Sequence, residues 1–172
     1  LVGMAVGRER FRADAGAVMA YLSQLHASEL EPDDPTAAYM LQAGARLCKA
    51  LGPEFIPYLS VVMPPLLKAA AQEPDVRVDD AADAADGDGI GDDDDDDDDV
   101  ERIPFGDKVL TIRTSVLEEK ATACAMLCCY LDELKEGFLP YVQQVSDLML
   151  PLLRFYFHEE VRRSAVHSLP QL

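Results

Sequence analysis

The strongest constraint on how this chain folds is a recurrence. Phe55-Ile-Pro-Tyr-Leu59 returns as Phe138-Leu-Pro-Tyr-Val142, and Pro65-Leu-Leu-Lys68 behind the first returns as Pro151-Leu-Leu-Arg154 behind the second. A second pattern recurs as well: Ala43, Leu47, Cys48 and Leu51 match Ala123, Leu127, Cys128 and Leu131. Segments of the first kind begin near residues 11, 54 and 138, and those of the second near 35, 116 and 159. The uninterrupted period is therefore about 43 residues, and the one in the middle about 80. The excess of nearly 40 residues is the length of the stretch from Pro74 to Thr114. That stretch reads as an insertion that replaces no part of the repeat.

Apolar residues recurring at three and four make both segment types amphipathic helices. The first helix is expected over about Arg10–His26, with Phe11, Ala15, Val18, Met19, Leu22 and Leu25 on its inner face. A second should start with Asp34 as N-cap and Pro35 at the first helical position, where a missing N–H is harmless, and carry Tyr39, Met40, Ala43, Leu47 and Leu51 to Gly52. The third, about Glu54–Gln72, holds Pro57, Pro64 and Pro65 and should be kinked or broken. Ser115-Val-Leu-Glu118 has the capping-box pattern and opens a fourth that Gly137 closes. A fifth is expected over about Phe138–Phe157, and a sixth from His158 to the last residue. Helix pairs of this length belong to the HEAT or armadillo class, so the fold class is all-α: an α-solenoid of HEAT repeats with a disordered acidic insertion. Residues 1–73 make the second half of one unit plus a complete unit, 74–114 the acidic low-complexity insertion, and 115–172 a complete unit plus the start of the next. Within the insertion Val109-Leu-Thr-Ile-Arg-Thr114 suits an extended segment, too isolated to define a sheet. Apolar end faces and a first residue other than Met suggest a fragment of a longer protein.

Charge separates the insertion from the rest. The chain carries a formal net charge of −17, and Asp75 to Glu101 holds nearly all of it, with Arg77 its one base. At its centre stand Asp92, Asp93, Asp94, Asp95, Asp96, Asp97, Asp98 and Asp99. Such a run has nothing apolar to bury and repels itself. It is either a solvated spacer or an electrostatic arm for basic partners, acting on encounter rate more than on final affinity. It also excludes direct nucleic-acid binding, because no basic stripe offsets it. Asp86-Gly-Asp-Gly-Ile-Gly91 has the opening of an EF-hand loop, but Ile90 stands where an oxygen ligand belongs and the closing Glu is missing.

Little else suggests chemistry. Cys48, Cys124, Cys128 and Cys129 lie in helical patterns without His or acidic partners at ligand spacing, and read as buried, reduced thiols rather than a metal site. His26, His158 and His167 are scattered, with His158 expected as a cap or surface residue. Glu118-Glu119 and Glu159-Glu160 suit first helical turns, where acids favour the helix dipole. Phe138 and Phe155-Tyr-Phe157 are expected in the core. No stretch reaches the roughly 18 uninterrupted apolar residues of a membrane span, and the first ten residues lack the order of a secretory signal. No catalytic residue, cofactor, metal or membrane insertion is expected, and the chain is not read as an enzyme.

Tyr39-Met-Leu-Gln-Ala-Gly-Ala-Arg-Leu-Cys-Lys-Ala-Leu51, Val61-Val-Met-Pro-Pro-Leu-Leu-Lys68, Leu117-Glu-Glu-Lys-Ala-Thr-Ala-Cys124 and Pro151-Leu-Leu-Arg-Phe-Tyr-Phe-His158 followed by Val161-Arg162 resemble the middle HEAT repeats of the importin-β (karyopherin-β) family, its importin beta-three branch above all. The resemblance covers nearly all of the chain outside the insertion. It implies a nuclear transport receptor that shuttles between cytoplasm and nucleus. Its implied partners are basic cargo proteins with nuclear localisation signals, the small GTPase Ran in its GTP form and phenylalanine-glycine nucleoporins. The branch carries an acidic insertion at about this point, here as a longer and purer aspartate run. A HEAT-repeat scaffold or regulatory subunit, or an acidic chaperone for basic proteins, is the alternative reading.

Overall fold

The computed structural model describes residues 5–27, 36–74, 76–80 and 100–172. Asp34, Pro35 and the aspartates at 92–99 lie outside the described residues. Six helices are described, α1 (Arg8–Ala27), α2 (Thr36–Leu51), α3 (Leu59–Ala71), α4 (Thr114–Leu134), α5 (Val142–Leu152) and α6 (Glu159–Ser168), with strands β1 (Val76–Asp80), β2 (Val100–Phe105) and β3 (Lys108–Arg113). They divide into two compact units, a helical one of Leu1–Ala71 with Glu119–Leu172, and a smaller one of Gln72–Glu118.

The helical unit is an all-α array of HEAT-type helix pairs, and the recurring motif forms the same joint twice. After α2 the chain turns at Gly52 (φ 57°), and after α4 at Lys135 (φ 47°). A positive φ at the residue following a helix reverses the chain and ends the ladder of N–H to carbonyl bonds. Each reversal leads into a 3-10 turn, Gly52–Tyr58 or Lys135–Tyr141, with Pro57 or Pro140 inside it. Phe55 and Phe138 are wholly buried there. Each tilts against the tyrosine three residues on, with ring centroids 5.8 Å apart for Phe55–Tyr58 and 5.7 Å for Phe138–Tyr141. The aromatic plug fixes the angle at which the return helix, α3 or α5, leaves.

One continuous core runs through the unit, from Met19 of α1 through Leu51, Met63 and Leu127 to Met149 and Val161. Two glycines allow close approach between repeats. At Gly44 a Cβ would lie 2.6 Å from the Tyr130 hydroxyl, and at Gly137 it would lie 2.5 Å from Cδ1 of Ile56. Tyr130 in turn stacks on Phe55 at 5.6 Å, so the first joint is plugged by an aromatic of the following repeat. Residues 38–71 are together apolar enough to cross a membrane by composition. The 3-10 turn breaks them in two, and Met40, Leu51, Phe55 and Met63 are buried in the protein core.

Lys120 is the buried charge of this unit, 3 % exposed. Its ammonium donates to the carbonyl of Ala70 near the end of α3 and sits 5.4 Å from the centre of the Phe155 ring. The last carbonyls of a helix lack internal donors and carry the negative end of its dipole. Lys120 therefore ties the start of α4 to the end of α3 and to the turn after α5.

Several boundaries differ from the expected ones. The fourth helix starts at Thr114, so Ser115 is inside it and its buried hydroxyl has no hydrogen-bond partner among the described residues, while Glu118 and Glu119 fall in the second turn rather than the first. Lys135, not Gly137, ends it, because the reversal takes the first residue after Leu134 even when that residue has a Cβ. The third stretch breaks at Leu59, after Pro57, while Pro64 and Pro65 stay inside α3. Pro64 is on the exposed side, where a carbonyl left unpaired by the missing N–H faces solvent. The fifth helix stops at Leu152 and the sixth gives way to a 3-10 turn at Leu169–Gln171. Tyr39 is 68 % exposed, whereas Met40, Leu47 and Leu51 are buried as expected and the buried face of α2 also takes in Leu41, Gly44, Ala45 and Cys48. Val18 is exposed as well.

The smaller unit corrects the expectation of an isolated extended segment. Its described residues form a three-stranded antiparallel sheet in the order β1-β3-β2. β2 and β3 are a hairpin joined by Gly106-Asp107, with positive φ at Gly106 alone (68°), the pattern of a II′ turn. The sheet goes unseen in the sequence because β1 is only five residues long and far from its partner: Val76 pairs with Ile112 and Asp80 with Lys108.

Candidate functional site

Two surfaces hold groups that could recognise a partner, one in each unit. In the helical unit, α2, α4 and α6 enclose an open groove of about 630 Å³. Its floor is small and apolar, with Ala45, Ala125, Met126 and Cys129, and its rim is charged. Arg46 and Lys49 of α2 stand on one side, Asp132 and Glu133 of α4 on another, and Arg163 and His167 of α6 on the third. Asp132 is the hub of the far rim: Nε2 of Gln171 donates to its Oδ1 at 2.6 Å, and Nε2 of His167 lies 3.2 Å from its Oδ2. Arg163 pairs with Glu159 at 3.1 Å and Glu160 at 2.5 Å, both in the first turn of α6 as expected. In the sequence this groove leaves little trace beyond charged residues at 46, 49, 132 and 133, between the apolar positions of the recurring helix.

Two of the four cysteines, Cys128 and Cys129, line this groove. All four are free and buried. The Cys128 thiol donates to the Ser164 carbonyl at 3.2 Å and the Cys129 thiol to the Ala45 carbonyl at 3.9 Å, so adjacent cysteines tie α4 to α6 and to α2. Burial is the main cause that pushes Cys124 up to about 11 and Cys128 up to about 12, and it raises Cys48 and Cys129 as well. Thiols so far from ionisation are poor nucleophiles and behave as small hydrophobes with a weak donor. Among the described residues no cluster of His, Cys, Asp or Glu could hold a metal ion.

The aromatic segment 155–157 divides between core and surface. Phe155 packs against the core and meets Phe157 edge-on at 5.6 Å, whereas Phe157 is 41 % and Tyr156 82 % exposed, against the expectation of a core cluster. The reason is the early end of α5, which leaves these residues on a turn. Arg162 braces it by donating to the carbonyls of Phe155 at 2.9 Å and Tyr156 at 3.4 Å. His158 takes the N-cap position of α6 with extended backbone, φ −149° and ψ 123°, and its side chain makes no cap bond.

In the smaller unit the register sorts the sheet into two faces, since directly opposed residues point to the same side. One face carries Val76, Val78, Leu110, Ile112 and Ile103 together with the charged Glu101 and Lys108. The other sets Arg77, Thr111 and Arg102 abreast, with Arg113 two residues beyond Thr111. Arg77 and Arg102 are exposed and Arg113 is half-buried. The sequence-expected site, Asp92 to Asp99, lies outside the described residues, but its anchors are placed: it enters from β1 and leaves into β2, the two edges of this sheet.

No family model matches the chain. Among curated proteins it is 34% identical over 173 residues to importin subunit beta-3 of Saccharomyces cerevisiae and 32% identical over 172 residues to a probable importin-5 homolog of Dictyostelium discoideum. Both alignments take in 100% of this chain but only 15% and 14% of those proteins, so the chain spans a small part of the relatives that it matches. Among solved structures it superposes on Kap121p with a TM-score of 0.82 at 32% identity, over 99% of this chain and 16% of Kap121p. It superposes on Kap121p bound to RanGTP with a TM-score of 0.78 at 31% identity, over 97% of this chain and 16% of that one.

Proposed function

Since the chain belongs to the importin-β family, as an importin beta-3-like segment of its HEAT repeats, we propose that it serves protein import into the nucleus. In this reading it acts by binding and not by catalysis, without inserting into membranes, in a receptor that shuttles between cytoplasm and nucleus. Its partners are basic cargo proteins with nuclear localisation signals, Ran in its GTP form, and phenylalanine-glycine nucleoporins. The observation that carries the reading is the match along essentially the whole chain to Kap121p, a karyopherin solved bound to Pho4p, to RanGTP and to Nup53p. The organisation into residues 1–73, 74–114 and 115–172 belongs to the same proposal.

Asp92 to Asp99 have the role of capturing basic surfaces in it. Eight adjacent carboxylates raise the local concentration of a cation-rich segment and speed encounter, an effect that salt screens within a Debye length of about 10 Å at 0.1 M. The groove between α2, α4 and α6 offers a second kind of contact. Its apolar lining, Ala45, Ala125 and Met126, offers a seat for an apolar side chain of a flexible peptide, such as a nucleoporin phenylalanine.

The test is the association rate of the chain with a fluorescent lysine-rich nuclear-localisation peptide, by stopped flow at low and high salt. Deleting Asp92–Asp99 should slow association at least about tenfold at low salt and change little at high salt. Unchanged rates at low salt would remove the tract from the account and leave the charged role unsupported.

A further inference from the structure

The groove between α2, α4 and α6 is lined by the same four positions of the recurring helix twice over: Gln42, Ala45, Arg46 and Lys49 of α2 match Thr122, Ala125, Met126 and Cys129 of α4. Positions i, i+3, i+4 and i+7 form one stripe of a helix, so each helix offers the groove a single face. The stripes differ in charge. α2 carries a guanidinium and an ammonium where α4 carries a thioether and a thiol.

Most charges around this lining are answered within the protein. The Cys129 thiol on the Ala45 carbonyl sets α2 against α4, so Lys49 and Glu133, each four residues further on, come abreast. Burial dominates the thiols of Cys48 and Cys129; beyond it, Lys49 lowers and Glu133 raises both, the mark of two opposed charges over one seam. Asp132 accepts from Gln171 and lies beside His167, and Arg163 is held by Glu159 and Glu160. Arg46 has no such partner among the described residues: it is exposed, next to Ala45 of the floor. An apolar side chain seated on Ala45, Ala125 and Met126 therefore has an uncommitted guanidinium beside it. A carboxylate on the neighbouring residue of the same peptide gains a charge-assisted hydrogen bond there, whereas an ammonium is repelled. We propose that the groove takes an extended peptide of a partner protein with an acidic residue, Asp or Glu, next to its apolar anchor, and that Arg46 sets this preference. The inference rests on the reading of the groove as a peptide seat and adds the kind of peptide it prefers. The preference is local, since the chain as a whole carries −17 and its long-range field favours basic partners.

Methyl spectra of the whole chain, with carbon-13 in the methionine methyl groups, test it at physiological salt. The probes are glycine-serine peptides with a single phenylalanine, bearing Asp before it, Asp after it, Lys in either place, or no charge. The Met126 methyl should shift with the uncharged peptide. The better of the two Asp peptides should bind about two- to fivefold tighter than the uncharged one, the range of an exposed ion pair, and both Lys peptides should bind more weakly. Arg46→Gln changes an exposed side chain, so it should keep the fold and remove the advantage of Asp. If the Met126 methyl moves but Asp and Lys peptides bind alike, or the Asp advantage survives Arg46→Gln, the preference is overturned and the peptide seat stands. If none of the peptides moves the Met126 methyl, the seat itself is overturned and the preference falls with it.

Discussion

The helical unit and the small sheet answer to different forces. In the helical unit stability comes from buried surface: Phe55 and Phe138 are wholly buried, and the core is continuous from Met19 to Val161. In the sheet Ile112 is buried, but Val78 is 57 % and Ile103 39 % exposed, so more of the apolar surface stays open. A buried core tolerates little change, because the loss of packed volume is felt throughout. Exposed apolar positions such as Val78 and Ile103 tolerate substitution more readily. Within one chain the two regions should therefore separate under mutation and under solvent.

The widest separation is expected from truncating a plug. Phe138→Ala should cost about 3–5 kcal/mol in urea unfolding of the helical unit, whereas Val78→Ala in the sheet should stay within about 0.5 kcal/mol. A similar loss at both sites would break the contrast. Next is the buried ammonium: Lys120→Met keeps the length of the side chain but leaves the Ala70 carbonyl without its donor, for about 2–3 kcal/mol. If Lys120→Met were neutral, the tie between α3 and α4 would carry no weight. Gly137→Ala should cost about 1 kcal/mol, the low end of overpacking, because the opposing Ile56 is partly exposed and can yield.

Alkali sharpens the same comparison. The four thiols keep their protons when folded and lose them more readily when unfolded, so the unfolded state binds fewer protons above the ordinary thiol value of 9.0. Stability contributed by burying them is complete below that pH and falls as pH rises toward the folded values of about 11 for Cys124 and about 12 for Cys128. Urea midpoints measured from pH 8 to 10.5 should therefore decline above about 9, and a flat profile would contradict the burial. The smallest effect expected is a gain. Lys135→Gly removes a Cβ from a positive-φ position and should stabilise by about 1 kcal/mol, in line with the glycine that takes the same place at 52.

Much of the helical unit could be read directly from the sequence, because its repeats are local and their periodicity is strong. The joints at Phe55 and Phe138, the break after Pro57 and the buried cysteines all follow from spacing and residue type. The end of the fourth helix differs because the reversal there is set by backbone geometry, which Lys135 adopts although glycine would suit it better. The fifth helix stops at Leu152 without such a reversal, its C-cap Leu153 staying at φ −57°, and Tyr156 and Phe157 fall beyond it. The sheet was hidden for another reason. Its pairing is between Val76 and Ile112, far apart in sequence, and the alternation of Arg77, Arg102 and Arg113 with apolar residues acquires meaning only when the register aligns them. The groove is equally non-local, since three helices supply its rim.

The central claim is that the acidic region interrupts a helical repeat without belonging to it. Replacing residues 76–113 by a flexible glycine-serine linker and following helical circular dichroism through thermal unfolding tests this directly. The account predicts a single cooperative transition with helical signal per helical residue unchanged and a midpoint within a few degrees of the parent. A chain that loses its cooperative transition, or melts as two separate halves, would show that the insert is part of what holds the repeats together.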